Sequence, residues 1–249
     1  MKTLCVIPVR GGSKGVPGKN LRQVEGRPLV VWTIEQALAV DGLHVLVSTD
    51  DERIAEIARS AGADVPFLRP AELAQDATPT EPVVQHAIAH RVAQGSPPEA
   101  VMLLQATSPL RLPGTLDRAV AQFQKSGADS LVGVVPFAPF FWWAGDDGAA
   151  PRADYEVAAR PRRQDLSPLQ MRYRETGSLY ITRPWVYAEQ SNRLGGRVEL
   201  FVMDEVEGID IDTEHDLRLA AHELRRIAEH GSTSDTVTSD HSSAAGSNQ

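Results

Sequence analysis

Residues 3–20, TLCVIPVRGGSKGVPGKN, set the terms for the rest of this chain. The apolar run Leu4–Val9, interrupted only by Pro8, has the length and turn-bounded form of a buried strand. It breaks into a loop holding Gly11, Gly12, Gly15 and Gly18, with Arg10, Lys14 and Lys19 spaced through it. Glycines let the backbone turn sharply and bring its N–H groups close to a ligand. Three cations in ten residues repel one another unless an anion sits among them, and a polyphosphate is the natural guest of a glycine-rich loop after a strand. The chain has four lysines against 21 arginines, and two of those lysines fall in this loop. A compact ammonium suits a phosphate as a point charge. The competing reading is a solvated basic turn. A P-loop would need Gly at position 13 and Ser or Thr at position 20, where Ser13 and Asn20 stand, and no G-x-G-x-x-G spacing occurs.

The 249 residues fit one α/β domain, or one domain with an insertion. A net charge of −8 gives no basic footprint for nucleic acid. Cys5 is the single cysteine, so no internal disulfide forms; the expectation is a cytoplasmic protein in which Cys5 is a small core residue. A signal-peptide h-region is lacking and no apolar stretch reaches membrane-spanning length.

Downstream, Pro28 opens a helix to about Val40, Leu43–Ser48 is a strand, and Thr49-Asp50-Asp51 caps a helix to about Ser60. Asp64–Phe67 reads as a third short strand. This β-α-β-α-β order predicts parallel strands with right-handed crossovers. After the loop LRPAELAQDATPTEP, a helix runs from Thr80 to about Gln94, and a strand from Ala100 ends in QATSPLR, Gln105 to Arg111. Polar groups at the carboxyl end of such a strand lie where open α/β sheets bind ligands. A helix over 114–126 and a strand over 130–135 follow.

Residues 136–176 break the rhythm. Four consecutive aromatics, Phe140–Trp143, predict an exposed apolar surface and hence an extension that pairs with a second copy of the chain, the alternative being a lid on its own domain. Residues 177–183 and 197–203 read as strands flanking a short helix over 185–190. A last helix reaches about His230. Residues 231–249 contain no Leu, Ile or aromatic and read as a disordered tail outside the 1–230 domain.

Asp210 and Asp212, two apart on an expected strand, would share a face. Two such carboxylates repel unless a cation joins them, and beside a polyphosphate that cation is Mg²⁺. The alternative is that Asp212 or Thr213 simply caps the following helix. His86 and His90, four apart on a helix, read as a solvated face.

IPVRGGSKGVPGKN resembles the first loop of the acylneuraminate cytidylyltransferases, the CMP-sialic acid synthetase family, and three later segments agree in order over about residues 3–225. The resemblance implies a three-layer α/β/α, Rossmann-like nucleotidyltransferase domain with a mostly parallel sheet. It implies CTP and an acidic nine-carbon keto sugar as substrates, CMP-sugar and pyrophosphate as products, Mg²⁺ as cofactor and a homodimer. Arg10, Lys14 and Lys19 would carry catalysis, and with Gly11, Gly12, Ser13 and Asn20 hold the triphosphate and ribose. Arg69, Thr78 and Thr80 would line the cytosine pocket. Gln105, Thr107, Ser108 and Arg111 would face the sugar, with Arg163 and Gln164 at its carboxylate. Asp210 and Asp212 match the family's metal carboxylates. The departures cluster on the sugar side: Ala106 replaces a usual proline, Thr176 an asparagine, and no lysine follows Lys125, with Trp143 near the place where some members carry one. The rival readings are an eight-carbon acid, as in CMP-KDO synthetases, and a nucleotide-binding homologue without catalysis.

Overall fold

The computed structural model describes residues 1–12, 16–146 and 148–234. Strand β1 (Thr3–Pro8) leads through the glycine loop and a small ribbon, β2 (Gln23–Val24) with β3 (Arg27–Pro28), into α1 (Leu29–Leu38). Then come β4 (Leu43–Ser48), α2 (Glu52–Ser60), α3 (Thr80–Ala93), β5 (Ala100–Leu104), α4 (Thr115–Ser126) and β6 (Ser130–Phe137). The ribbon β7 (Trp142–Trp143) with β8 (Arg152–Ala153) lies in the extension, followed by β9 (Arg172–Thr182), α5 (Pro184–Gln190), β10 (Val198–Val202) and α6 (Glu214–Ser234).

The six long strands form one sheet in the order β10-β6-β9-β5-β1-β4. β1 pairs in parallel with β4 and β5, β10 in parallel with β6, and β9 runs antiparallel between β5 and β6. Alternation along the strands builds a core on each face. Cys5 and Ile7 of β1, with Met102 and Leu104 of β5, pack against Val30 and Ile34 of α1, Ile54 of α2 and Phe123 of α4. Leu4, Val6, Val101 and Leu103 point the other way, against Val84 and Ala87 of α3 and Tyr187 of α5. The result is the expected three-layer α/β/α arrangement with a mostly parallel sheet. A third cluster seats α6, through Leu217, Ala220 and Leu224, on Val24, Leu29, Leu110 and Ile211. Cys5 is fully buried, and burial pushes its thiol up to about 12, so it stays a neutral core residue.

Three local expectations are corrected. Residues 64–67 run beside β4 but form only isolated bridges, Leu46 with Asp64 and Thr49 with Leu68. Pro66 lies between those bridges and has no N–H for a ladder. Asp210 and Asp212 lie on an extended stretch between a 3₁₀ turn, Glu205–Gly208, and α6, not on a strand. His86 and His90 are half-buried, not solvated: their rings meet Phe67 edge-on at centroid distances of 4.4 and 5.1 Å. His86 Nδ1 and His90 Nε2 are buried without hydrogen-bond partners, and burial is the leading cause that pushes His86 below the ordinary histidine range.

α6 continues to Ser234, beyond the expected stop near His230, so residues 231–234 of the expected tail 231–249 are helical instead, and its remainder, 235–249, lies outside the described residues. In the extension Phe137 stacks on Phe141 at 5.3 Å, while Trp142 and Trp143 are 55% and 61% exposed and Leu169 is 95% exposed. Those three side chains are not packed down on their own domain. No helix among the described residues is long and apolar enough to cross a membrane.

Candidate functional site

β1, β4 and β5 run parallel, so their carboxyl ends share one edge of the sheet, and a cavity of about 450 Å³ opens there. The loop after β1 supplies Arg10, Gly12, Lys19 and Asn20 to its lining. The segment after β5 supplies Gln105, Ala106 and Thr107. The opposite wall carries Arg69, Leu73, Gln75, Asp76 and Thr78 to Thr80, with Val83 from the first turns of α3. Asp212 closes the ring from the entry to α6. α3 is anchored where it begins: Glu81 pairs with Arg193 at 2.6 Å, and the Arg193 guanidinium lies over the Tyr180 ring at 5.2 Å.

The glycine loop lies on the start of α2. Gly11 N donates to Asp50 Oδ1 at 3.1 Å, and a Cβ on Gly11 would stand 2.8 Å from Asp51 Oδ2, so a side chain there would displace the helix cap. Asp51 performs that cap by accepting from Arg53 N at 2.8 Å and Ile54 N at 3.2 Å. Gly18 takes a left-handed φ of 62° just before Lys19. Lys19 is largely buried and crosses to the far end of the chain, where its Nζ donates to Ile211 O at 2.5 Å and lies 3.5 Å from Asp212 Oδ1. Asn20 Nδ2 donates to Arg10 O at 3.3 Å, and its Oδ1 is buried without a partner. The expected contacts of Ser13 and Lys14 lie outside the described residues.

Other candidates divide by position. Thr78, Thr80, Gln105 and Thr107 line the cavity. Arg69 also lines it, but its Nε donates to Ser48 Oγ at 3.2 Å and its Nη2 to the carbonyls of Val9 and Ser48, so much of the guanidinium braces the ends of β1 and β4. Ser108 is fully buried behind the lining and donates to Asp210 Oδ1 at 3.3 Å. Arg111 is not on the cavity wall either. Its Nη1 donates to Gln36 Oε1 at 2.9 Å and Thr33 Oγ1 at 3.3 Å, and its Nη2 to Ser178 O at 2.7 Å and Gln105 O at 3.3 Å. Burial pushes it down to about 10, still charged at neutral pH. It holds the segment that carries Gln105 rather than presenting its charge to the cavity. Arg163 and Gln164 sit exposed on a 3₁₀ turn in the extension, outside the lining.

The acidic stretch is ordered by its middle residue. Ile211 is fully buried and its N–H donates to Thr107 O at 2.9 Å, tying the stretch to the segment after β5. The helix cap falls to Thr213 and Asp216: Thr213 Oγ1 accepts from Asp216 N at 3.2 Å, and Asp216 Oδ2 accepts from Thr213 N at 2.8 Å. The Asp212 side chain is thus left out of the cap and stands in the cavity. Among the described residues no group of three or more His, Cys, Asp or Glu side chains gathers as a metal site. Asp210 and Asp212 offer hard oxygen donors, a set that fits a Mg²⁺ shared with substrate phosphates.

Local sequence did not single out Asp76, Leu73, Pro79 or Val83 as lining residues. Asp76 stands among Gln, Ala, Thr and Pro, where aspartate ordinarily serves a turn.

A cytidylyltransferase family model matches residues 4–141. The chain belongs to the cytidylyltransferase family. It is 33% identical over 225 residues to a pseudaminic acid cytidylyltransferase of Campylobacter jejuni, covering 88% of this chain and 95% of that protein. It is also 33% identical to a CMP-N,N'-diacetyllegionaminic acid synthase of Legionella pneumophila, over 88% and 94% of the two chains. An N-acylneuraminate cytidylyltransferase A of Danio rerio shares 33% identity over 91% of this chain and 52% of that protein. In fold, this cytidylyltransferase matches the structure of CMP:2-keto-3-deoxy-manno-octonic acid synthetase complexed with CTP, with a TM-score of 0.66 at 18% identity over 91% and 99% of the two chains.

Proposed function

We propose that the protein transfers CMP from CTP to the anomeric hydroxyl of a nine-carbon acidic keto sugar and releases pyrophosphate. The observation that carries the reading is the single cavity in which Arg10 and Lys19, Asp212, and the Gln105–Thr107 segment converge at the carboxyl edge of the parallel strands. Relatives that span nearly the same length are named for CMP transfer to such acids. In this reading the sugar hydroxyl oxygen attacks the α-phosphorus and gives up its proton to solvent, the bond from that phosphorus to the β-phosphate bridging oxygen breaks, and pyrophosphate leaves. Arg10 and Lys19 balance the charge on the departing phosphates, an electrostatic role that works best in a largely enclosed site. Asn20 Oδ1, a buried acceptor without a protein partner, suits a ribose hydroxyl. Gln105 orients the attacking hydroxyl, and an amide does so without taking its proton. Asp212 and Asp210 would hold Mg²⁺, which when bound supplies Lewis-acid neutralisation of phosphate oxygens.

The test is pyrophosphate release with CTP and Mg²⁺ against N-acetylneuraminate, legionaminate, pseudaminate and the eight-carbon acid. Release with a nine-carbon acid is the expected outcome. Release with the eight-carbon acid alone would move the assignment to the KDO branch, and CTP binding without release on any sugar would point to a homologue that has lost catalysis.

The proposal extends to a homodimer formed through the extension, supported by the exposed Trp142, Trp143 and Leu169, and to a cytoplasmic setting, where CTP is at hand. Sedimentation velocity at micromolar concentration is expected to give a dimer, and the double change Trp142→Ser with Trp143→Ser to give mostly monomer. A wild-type monomer would sink this part of the reading.

A further inference from the structure

Arg10 is already engaged inside the cavity. Its Nη1 lies 2.6 Å from Asp76 Oδ1, the length of a charge-assisted bond, and both side chains line the cavity. The two come from different segments of the lining, Arg10 from the loop after β1 and Asp76 from the stretch between the 3₁₀ turn Ala71–Leu73 and α3. That stretch is folded on itself: Thr78 N donates to Gln75 O at 3.1 Å, and Thr78 Oγ1 donates to Glu72 O at 3.2 Å. The Arg10–Asp76 pair therefore ties the phosphate loop to the wall that carries Thr78 and Thr80. Lys19 also faces a carboxylate, but more loosely, at 3.5 Å from Asp212. Asp212 has a task in the proposed reaction, as a metal ligand that would turn toward Mg²⁺. Asp76 has none, yet it puts a negative charge where the triphosphate needs a positive one.

We propose that Asp76 is a latch that stands in for a phosphate: it holds Arg10 in the empty cavity and yields it when a polyphosphate arrives. This rests on the CTP reading and deepens it. The attraction that Arg10 offers an incoming triphosphate is then net of the pair it gives up. When the bond at the α-phosphorus has broken, Asp76 competes with pyrophosphate for the same guanidinium and speeds its departure. A ligand with one phosphate, such as CMP, draws less on Arg10 and feels the latch less. Release of the pair also frees the 71–79 wall from the phosphate loop, so nucleotide arrival and wall position are coupled.

The experiment measures affinity by calorimetry for CTP, inorganic tripolyphosphate, pyrophosphate and CMP, in the wild type, Asp76→Asn, Arg10→Ala and the double variant. Asp76→Asn keeps the size and removes the charge. It is expected to tighten CTP, tripolyphosphate and pyrophosphate by ~2–5-fold, the scale of a half-exposed ion pair, and to change CMP by less. A missing carboxylate would also relieve general repulsion, so the cycle decides the matter: in the Arg10→Ala background the same change should tighten binding clearly less than it does with Arg10 present. Equal tightening with and without Arg10 would overturn the latch. Unchanged or weaker binding in Asp76→Asn would overturn it outright. If the wild type binds neither CTP nor tripolyphosphate, the site reading itself fails and the latch with it. Far-UV circular dichroism of each variant confirms that the comparison is between folded proteins.

Discussion

Lys19→Ala is expected to lower the turnover of CMP transfer by ~10²–10³-fold, the usual consequence of removing one preorganised group that meets developing charge. The position of Lys19 argues for the upper part of that range. Its side chain is 12% exposed and its ammonium is fixed by Ile211 O at 2.5 Å, so it is oriented before any ligand arrives and poorly screened by solvent. It also lies 3.5 Å from Asp212, so its loss removes a cation from the phosphates and leaves the proposed metal carboxylate without its nearest balancing charge. The fall should appear mainly in kcat, with a smaller rise in KM, because charge builds on the leaving pyrophosphate in the transition state. Lys19→Arg is expected to restore only part of the rate, since a planar fork does not fit the place of a compact ammonium held by one carbonyl. The deleted contacts are one charged hydrogen bond and one loose ion pair, together worth about 2–3 kcal/mol of stability, so a rate loss measured well below the unfolding transition reports chemistry and not folding. Steady-state pyrophosphate release settles it; a loss under about threefold would remove Lys19 from the charge-stabilising role.

The loop Gly11–Asn20 and the strands of the sheet were legible for one reason: each is a local pattern with a local cause. β1, β4 and β5 are buried on both faces, so they read as short continuous apolar runs, and the glycine loop must follow the first of them. What escaped depends on partners far away in sequence. The extended stretch at 64–67 has the composition of a strand, and Pro66 alone denies it a ladder. β9 enters the sheet antiparallel after the excursion through 138–171 has reversed the chain, and no residue within β9 announces its direction. His86 and His90 sit on a helix of weak amphipathic pattern, and only the fold brings Phe67 between them. Asp76 and Arg10 are 66 residues apart, and neither signals the other. The sequence left open whether Asp212 or Thr213 caps the last helix, and distant contacts decide it: Ile211 anchors the stretch to Thr107 while Thr213 and Asp216 take the cap. Ser108 and Arg111 show what a motif leaves open. A motif names residues that occur together, but the chemistry of each depends on which way it points, and these two point inward.

Arg111→Met is expected to cost about 3–5 kcal/mol of stability, the scale at which one member of a buried charged network is removed and its partners are left unpaired. Methionine has a similar length and can fill the space, so the loss isolates hydrogen bonding and charge from packing. Arg111 is 4% exposed and its guanidinium joins four acceptors on three segments: Thr33 and Gln36 of α1, the Gln105 carbonyl just after β5, and the Ser178 carbonyl on β9. Without it, the carbonyls of Gln105 and Ser178 lose their shared donor in a place water does not reach. Arg111→Lys is expected to recover less than half of the loss, because a single ammonium cannot span acceptors arranged around a planar fork. For a chain of this size the methionine variant should melt roughly 6–20 °C lower, read by circular dichroism without ligand. Because the brace runs through Gln105 and the residue after Gly177, the same change should raise KM for the sugar more than for CTP at a temperature where the variant remains folded. A loss of under about 1 kcal/mol would mean that the α1 and β9 partners pair among themselves when the guanidinium is gone, and that Arg111 is tolerated in the core rather than required by it.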